Sequence, residues 1–183
     1  MKVLTLVSGM GWVRASVLSC AIGAAASLGA MAQTPPQALP PPSGDIILTV
    51  RGDIAATNGN AEAALDRAMI EAMGVVTVHT GTIWTDGTSE FQGVELFRLL
   101  SQLGADGSTL RLVALNDYAV DIPATEAVEG GPVLAFRMDG KDLSPRDKGP
   151  LWMIYPYDVN TAYKNEVSYS RSVWQLSSIE VLD

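Results

Sequence analysis

The placement of apolar side chains along the chain sets apart three kinds of stretch. From Ala15 to Gly29 every residue is apolar or small, in the run ASVLSCAIGAAASLG. From Gln33 to Gly44 there are five prolines in twelve residues. From Asp45 onward, short apolar segments alternate with Gly, Pro, Asn and Asp turn signals, the pattern of a folded domain. Within it, Ile46, Leu48 and Val50 alternate with Ile47 and Thr49, which predicts a strand ending at Gly52. Asn58-Gly59-Asn60 predicts a turn. Asn60 would then cap a helix over 61–73, with Ala61, Ala64, Leu65, Ala68, Met69 and Ala72 as its apolar stripe. A short strand is expected over 75–78, a polar loop over 80–92, and a second helix over 93–103 ended by Gly104. Segments 110–115, 132–138 and 151–155 read as strands, with Asp139-Gly140 as a turn and Pro156 as a stop. Segment 172–182 closes the domain, with Val173, Ile179 and Val181 apolar. Strands outnumber helices and the helices come early, so the predicted class is α+β, a single domain with a mixed sheet and a few helices.

The first stretch has the parts of an export signal. Lys2 and Arg14 are its only charges, and Ala30-Met31-Ala32 places small residues before a cut at Gln33. Its clean apolar run is 15 residues, short of the roughly 20 that cross a bilayer. The expected organisation is a signal peptide over 1–32, a Pro-rich linker over 33–44 and a folded domain over 45–183, with no stable membrane span after cleavage. The location would be periplasmic or secreted. Val17-Leu18-Ser19 before Cys20 leaves lipidation of Cys20 as a second option, although most of the apolar run follows that cysteine.

Cleavage changes the charge and the chemistry. Residues 33–183 keep all 20 acidic side chains and 10 of the 12 basic ones, for a formal net charge of −10. Phosphate-rich partners are disfavoured by such a charge, so nucleic acid is not expected. The only cysteine, Cys20, leaves with the signal, and His79 is the only histidine. Zinc or iron sites built from several His or Cys ligands are therefore excluded, as is a Cys nucleophile. No P-loop, G-x-G-x-x-G or G-x-S-x-G is present. Asp86-Gly87-Thr88-Ser89-Glu90 lacks the rest of a calcium loop and reads as a surface loop. Arg51-Gly52-Asp53 is explained by a strand ending at a glycine turn. His79 reads as a half-buried histidine at a strand end, or else as a contact at the mouth of a pocket. Trp84, Phe91, Tyr118, Trp152, Tyr155, Tyr157, Tyr163, Tyr169 and Trp174 all fall in loops or at strand ends. Most would pack in the core, and several would line a cleft.

Four segments in order resemble the molybdopterin-binding domain of the sulfite oxidase superfamily. They are Phe91-Gln92-Gly93-Val94-Glu95-Leu96 through Leu100; Asn116-Asp117-Tyr118 with Ile122-Pro123; Leu134-Ala135 through Asp139-Gly140 and Leu143; and Lys148-Gly149-Pro150-Leu151 to Pro156 with Trp174 to Val181. The resemblance implies that family's fold and, as an alternative cofactor, molybdopterin. It also places Thr80 where catalytic members carry the molybdenum-ligating cysteine, Trp152 where they carry an arginine, and Val173 where they carry a lysine. The larger sulfite oxidases have a further immunoglobulin-like domain, which is not expected here. A threonine hydroxyl is too weakly acidic to replace a soft thiolate. The expectation is thus a non-catalytic domain with no catalytic residue, no metal ligand and no cofactor, binding a small molecule or a periplasmic protein. Its candidate cleft is formed by His79, Thr80, Trp84, Tyr118 and Trp152. The alternatives are a molybdopterin-dependent periplasmic oxidoreductase with non-cysteine ligation and an interaction module without a pocket.

Overall fold

The computed structural model describes residues 38–183. The expected signal, Cys20 and the first part of the proline stretch lie outside the described residues. Ten strands and three α-helices follow in the order β1 (Ile46–Gly52), β2 (Glu62–Asp66), α1 (Arg67–Ala72), β3 (Val75–Gly81), β4 (Thr88–Glu95), α2 (Leu96–Leu103), β5 (Thr109–Ala114), β6 (Ala119–Pro123), β7 (Val133–Met138), β8 (Lys141–Asp142), β9 (Trp152–Ile154), α3 (Glu166–Ser170) and β10 (Leu176–Leu182). They form two five-stranded sheets. One runs β2-β1-β10-β5-β6, and the other runs β3-β4-β7-β8 with β9 also on β7. The β1–β10 pair is parallel and its neighbours are antiparallel, so the class is α+β with a mixed sheet.

The alternation read in the first strand sets the core. Leu48 and Val50 are fully buried, and β10 beside them buries Ile179 and Val181. Leu96, Leu99 and Leu103 of α2 join them, together with Leu110 and Leu112 of β5 and Leu134 and Phe136 of β7. A second, smaller cluster gathers Phe91, Ala135, Leu143, Trp152 and Ile154, with Trp84 packed against it. Strand β9 is buried along its whole length because Met153 faces the first cluster while Trp152 and Ile154 face the second. Gly104 takes the left-handed conformation after α2, at φ 59°, as the helix stop required.

The helix expected over 61–73 is only half present. Glu62–Asp66 pairs antiparallel with β1 and buries Ala63 and Leu65 completely. An alanine-rich run satisfies period 2 as well as period 3.6, and the free edge of β1 decides between them. Asn60 has φ 45° and caps nothing; Asp66 is the N-cap, accepting from Met69 N at 2.8 Å. Further backbone bonds from Gly44 and Ser43 join that one to hold the Asp66 carboxyl at about 2. These bonds fasten residues 43 and 44 to the domain, and Leu39 N donates to Thr57 O at 2.9 Å.

Much of the loop expected over 80–92 is a hairpin. Strands β3 and β4 pair from Val75↔Val94 to Gly81↔Thr88, leaving residues 82–87 as the turn. Gly93 belongs to β4 rather than to a helix. It sits at a register shift where a Cβ would collide with the Leu134 carbonyl, so only glycine fits. Residues 119–123 and 166–170 form β6 and α3, which the apolar pattern does not foretell. Arg51-Gly52-Asp53 is structural: Arg51 pairs with Glu180 at 3.5 Å, and Gly52 has φ 94° against the Val181 carbonyl.

Candidate functional site: an aromatic cavity beside the 82–87 turn

The 82–87 turn stands between two different surfaces. It is stiffened internally by the Thr82 and Thr85 hydroxyls at 2.9 Å and by Trp84 N donating to Thr82 Oγ1 at 3.1 Å. On one side Trp84 faces a cavity of about 280 Å³. Its other walls come from the end of β5 (Ala114), the following turn (Asn116, Tyr118), and the segment from α3 to β10 (Tyr169, Ser170, Ser172, Val173, Trp174). The Trp84 ring lies 5.8 Å from Trp174 at 72° and 6.0 Å from Tyr169 at 89°. Edge-to-face rings at these spacings attract one another beyond their buried area. Tyr118 is half exposed, and its hydroxyl donates across to Ser170 O at 3.2 Å.

Several of the polar atoms around this cavity are bound within the protein. The Ser172 hydroxyl donates to Ser168 O at 2.8 Å and also bonds the Tyr157 hydroxyl. The Ser170 hydroxyl donates to Val167 O at 2.8 Å, and Asn116 Oδ1 accepts from Tyr118 N at 3.2 Å. Arg171 belongs to the lining segment, but its guanidinium turns to Glu126, which in turn accepts from the Tyr155 hydroxyl at 2.6 Å. Burial pushes the Tyr157 phenol up to about 12, so it stays protonated.

The other side of the turn carries a recess of about 240 Å³ lined by Gly81, Thr82, Tyr157, Asp158 and Lys164, and Thr80 does not reach it. Thr80 is fully buried, and its Oγ1 accepts from Asp158 N at 3.1 Å. Asp158 Oδ2 accepts from Gly81 N at 2.6 Å, while Oδ1 pairs with Lys164 at 2.6 Å. The Lys164 hydrogen bond, followed by that from Gly81, holds the Asp158 carboxyl below the ordinary carboxylate range.

The five candidate cleft residues therefore separate. Trp84 and Tyr118 share the cavity. Thr80 is sealed behind the turn. Trp152 is fully buried, stacked edge-to-face on Phe91 and Trp84, and donates Nε1–H to Ser172 O at 3.2 Å, so it supports the cavity wall from behind. His79 is exposed on the hairpin, 3.9 Å from Glu90, rather than half-buried or at a pocket mouth. Tyr169 and Trp174, which complete the aromatic wall, were legible only as aromatics at element ends. Asn116 enters the sequence reading only within a resemblance segment, and Ser172 only as the start of the closing segment.

The model of the oxidoreductase molybdopterin binding domain family matches residues 56–165. The chain belongs to that family. Among solved structures, it is similar to the sulfane dehydrogenase SoxCD from Paracoccus pantotrophus. The TM-score is 0.54 at 15% identity, over 74% of this chain and 38% of that one. The likeness shows the sulfite-oxidase-like fold, and this chain spans well under half the length of that relative. No curated protein sequence matches.

The described residues do not suit the group for which the family is named. The hydroxyl of Thr80, the residue that the resemblance sets against the ligating cysteine, is already committed to the Asp158 backbone. Among the described residues no cluster of three His, Cys, Asp or Glu side chains is placed to hold a metal ion. No Lys or Arg lines the aromatic cavity, and Lys164 on the other side is neutralised by Asp158. A soft metal centre with a phosphate-bearing pterin needs thiolate and cationic partners that this arrangement does not offer.

Proposed function

We propose that this chain is an exported, non-catalytic member of the molybdopterin binding domain family that binds a small molecule in its aromatic cavity. One contrast carries the reading. Thr80, which the resemblance sets at the family's metal-ligand position, is a buried hydroxyl with a backbone partner, while a cavity walled by Trp84, Tyr118, Tyr169 and Trp174 stands open beside it. The family's fold supplies the scaffold, and fold does not fix chemistry. The acidic charge favours small molecules over nucleic acid. The family match itself favours a second reading, a molybdopterin-dependent oxidoreductase with non-cysteine ligation.

Native mass spectrometry of protein recovered from the producing cell tests the binding role. The expected result is a small organic adduct that disappears in Trp174→Leu. A pterin adduct would support the second reading. Export is tested on the same material by N-terminal sequencing. A chain beginning at Gln33 is expected, whereas an intact Met1 or an acylated Cys20 would contradict cleavage at Ala32.

A further inference from the structure

Resting on that small-molecule reading, we propose that the aromatic cavity is a cage for a quaternary ammonium cation. Three observations combine. First, four aromatic side chains wall the cavity, and Trp84 meets Trp174 and Tyr169 at 72° and 89°, as adjoining walls of a box do. Such rings attract a cation through their quadrupoles, most strongly when it is desolvated.

Second, several of the cavity's hydrogen-bonding groups are spent within the protein. The hydroxyls of Ser170, Ser172 and Tyr118 donate to backbone carbonyls, and Asn116 Oδ1 accepts from a backbone amide. A primary amine brings N–H donors to a lining whose unspent groups include the donor-only indoles of Trp84 and Trp174, and so leaves donors unpaired. A tetra-alkylated nitrogen carries its charge without an N–H and leaves none.

Third, charge selects the cation over a neutral apolar guest. No basic side chain lines the cavity, and Arg171 in the lining segment is paired with Glu126. The whole chain has a formal net charge of −8, which draws cations toward its surface. The volume of about 280 Å³ lies below the usual range for drug-sized ligands, so the guest is small.

The test is titration of intrinsic tryptophan fluorescence with choline, with tetramethylammonium, and with 3,3-dimethylbutan-1-ol, the neutral carbon counterpart of choline. Both cations should shift the emission saturably, and the neutral alcohol should bind at least about tenfold more weakly, as expected for a cation–π contribution. Trp174→Leu should weaken choline by about tenfold or more with its circular dichroism unchanged, while Trp174→Phe keeps most of the affinity. If Trp174→Leu fails to fold, Tyr118→Leu at the exposed rim gives the same readout. Phosphatidylcholine vesicles distinguish the source of the group. Co-sedimentation blocked by free choline assigns it to a lipid headgroup, and failure to co-sediment assigns it to a free solute. Equal binding of alcohol and choline would overturn the cation cage while leaving a small-molecule cavity intact. Silence toward all three titrants, with an organic adduct still present by mass spectrometry, would also overturn the cage and not the binding role. Silence in both experiments would overturn both.

Discussion

The two sides of the 82–87 turn are built from opposite materials. Behind it, Thr80, Asp158, Gly81 and Lys164 form a closed set of hydrogen bonds and one ion pair. In front, Trp84, Trp174, Tyr169 and Tyr118 wall a mainly aromatic cavity. The polar side is where the family resemblance places its metal ligand, and the aromatic side is where this chain offers a guest a ring-walled cavity. A threonine that only filled the place of a lost ligand would leave its hydroxyl idle. Here the hydroxyl accepts the N–H of a residue 78 positions away and so helps hold the corner together.

Trp152 backs the aromatic wall, and removing it should have the largest effect. Trp152→Ala is expected to cost about 3–5 kcal/mol, read by denaturant unfolding. The loss should include collapse of the Trp84 wall, because Trp152 stacks on that ring and its indole donates to Ser172 O. Thr80→Cys comes next. Replacing a buried hydroxyl acceptor with a weak sulfur acceptor should cost about 1–2 kcal/mol without altering the tryptophan emission of the cavity. A neutral or stabilising effect would show that the polar side has no structural task.

Asp158 sharpens the same comparison through pH. Its carboxyl titrates below the ordinary 3.8 in the folded chain. The stability it contributes is therefore complete above about pH 4 and is lost as pH falls through its lowered value. Asp158→Asn should flatten the decline of Tm below pH 4 and leave the cavity side unchanged. The smallest effect is expected from Tyr118→Phe. It removes one exposed hydrogen bond and should change stability by less than about 1 kcal/mol, with the cavity ring retained.

The chain's alternating segments made the core legible. Leu48 and Val50, the leucines of α2, and Gly104 as its stop stand where their periodicity places them. The run over 61–66 did not reveal itself, because alanines fit either period and the partner strand lies earlier in the chain. The cavity was legible only in part. Trp84 and Tyr118 were singled out, but Tyr169 and Trp174 approach Trp84 from about 85–90 residues further along, through the parallel β1–β10 pairing and the short helix α3. Trp152 reads as a cleft residue in the sequence because the resemblance sets it against an arginine. Residues with both sheet faces covered give no alternation to betray their burial, and β9 is such a strand.

The Thr80 corner is expected to hold no metal centre. This is tested most directly by measuring molybdenum and released pterin in wild-type protein and Thr80→Cys made in a host that assembles the cofactor. The wild type should contain neither above background, whatever the cysteine variant does. One molybdenum with one pterin per wild-type chain would contradict the account and make this domain an oxidoreductase with an unusual ligand.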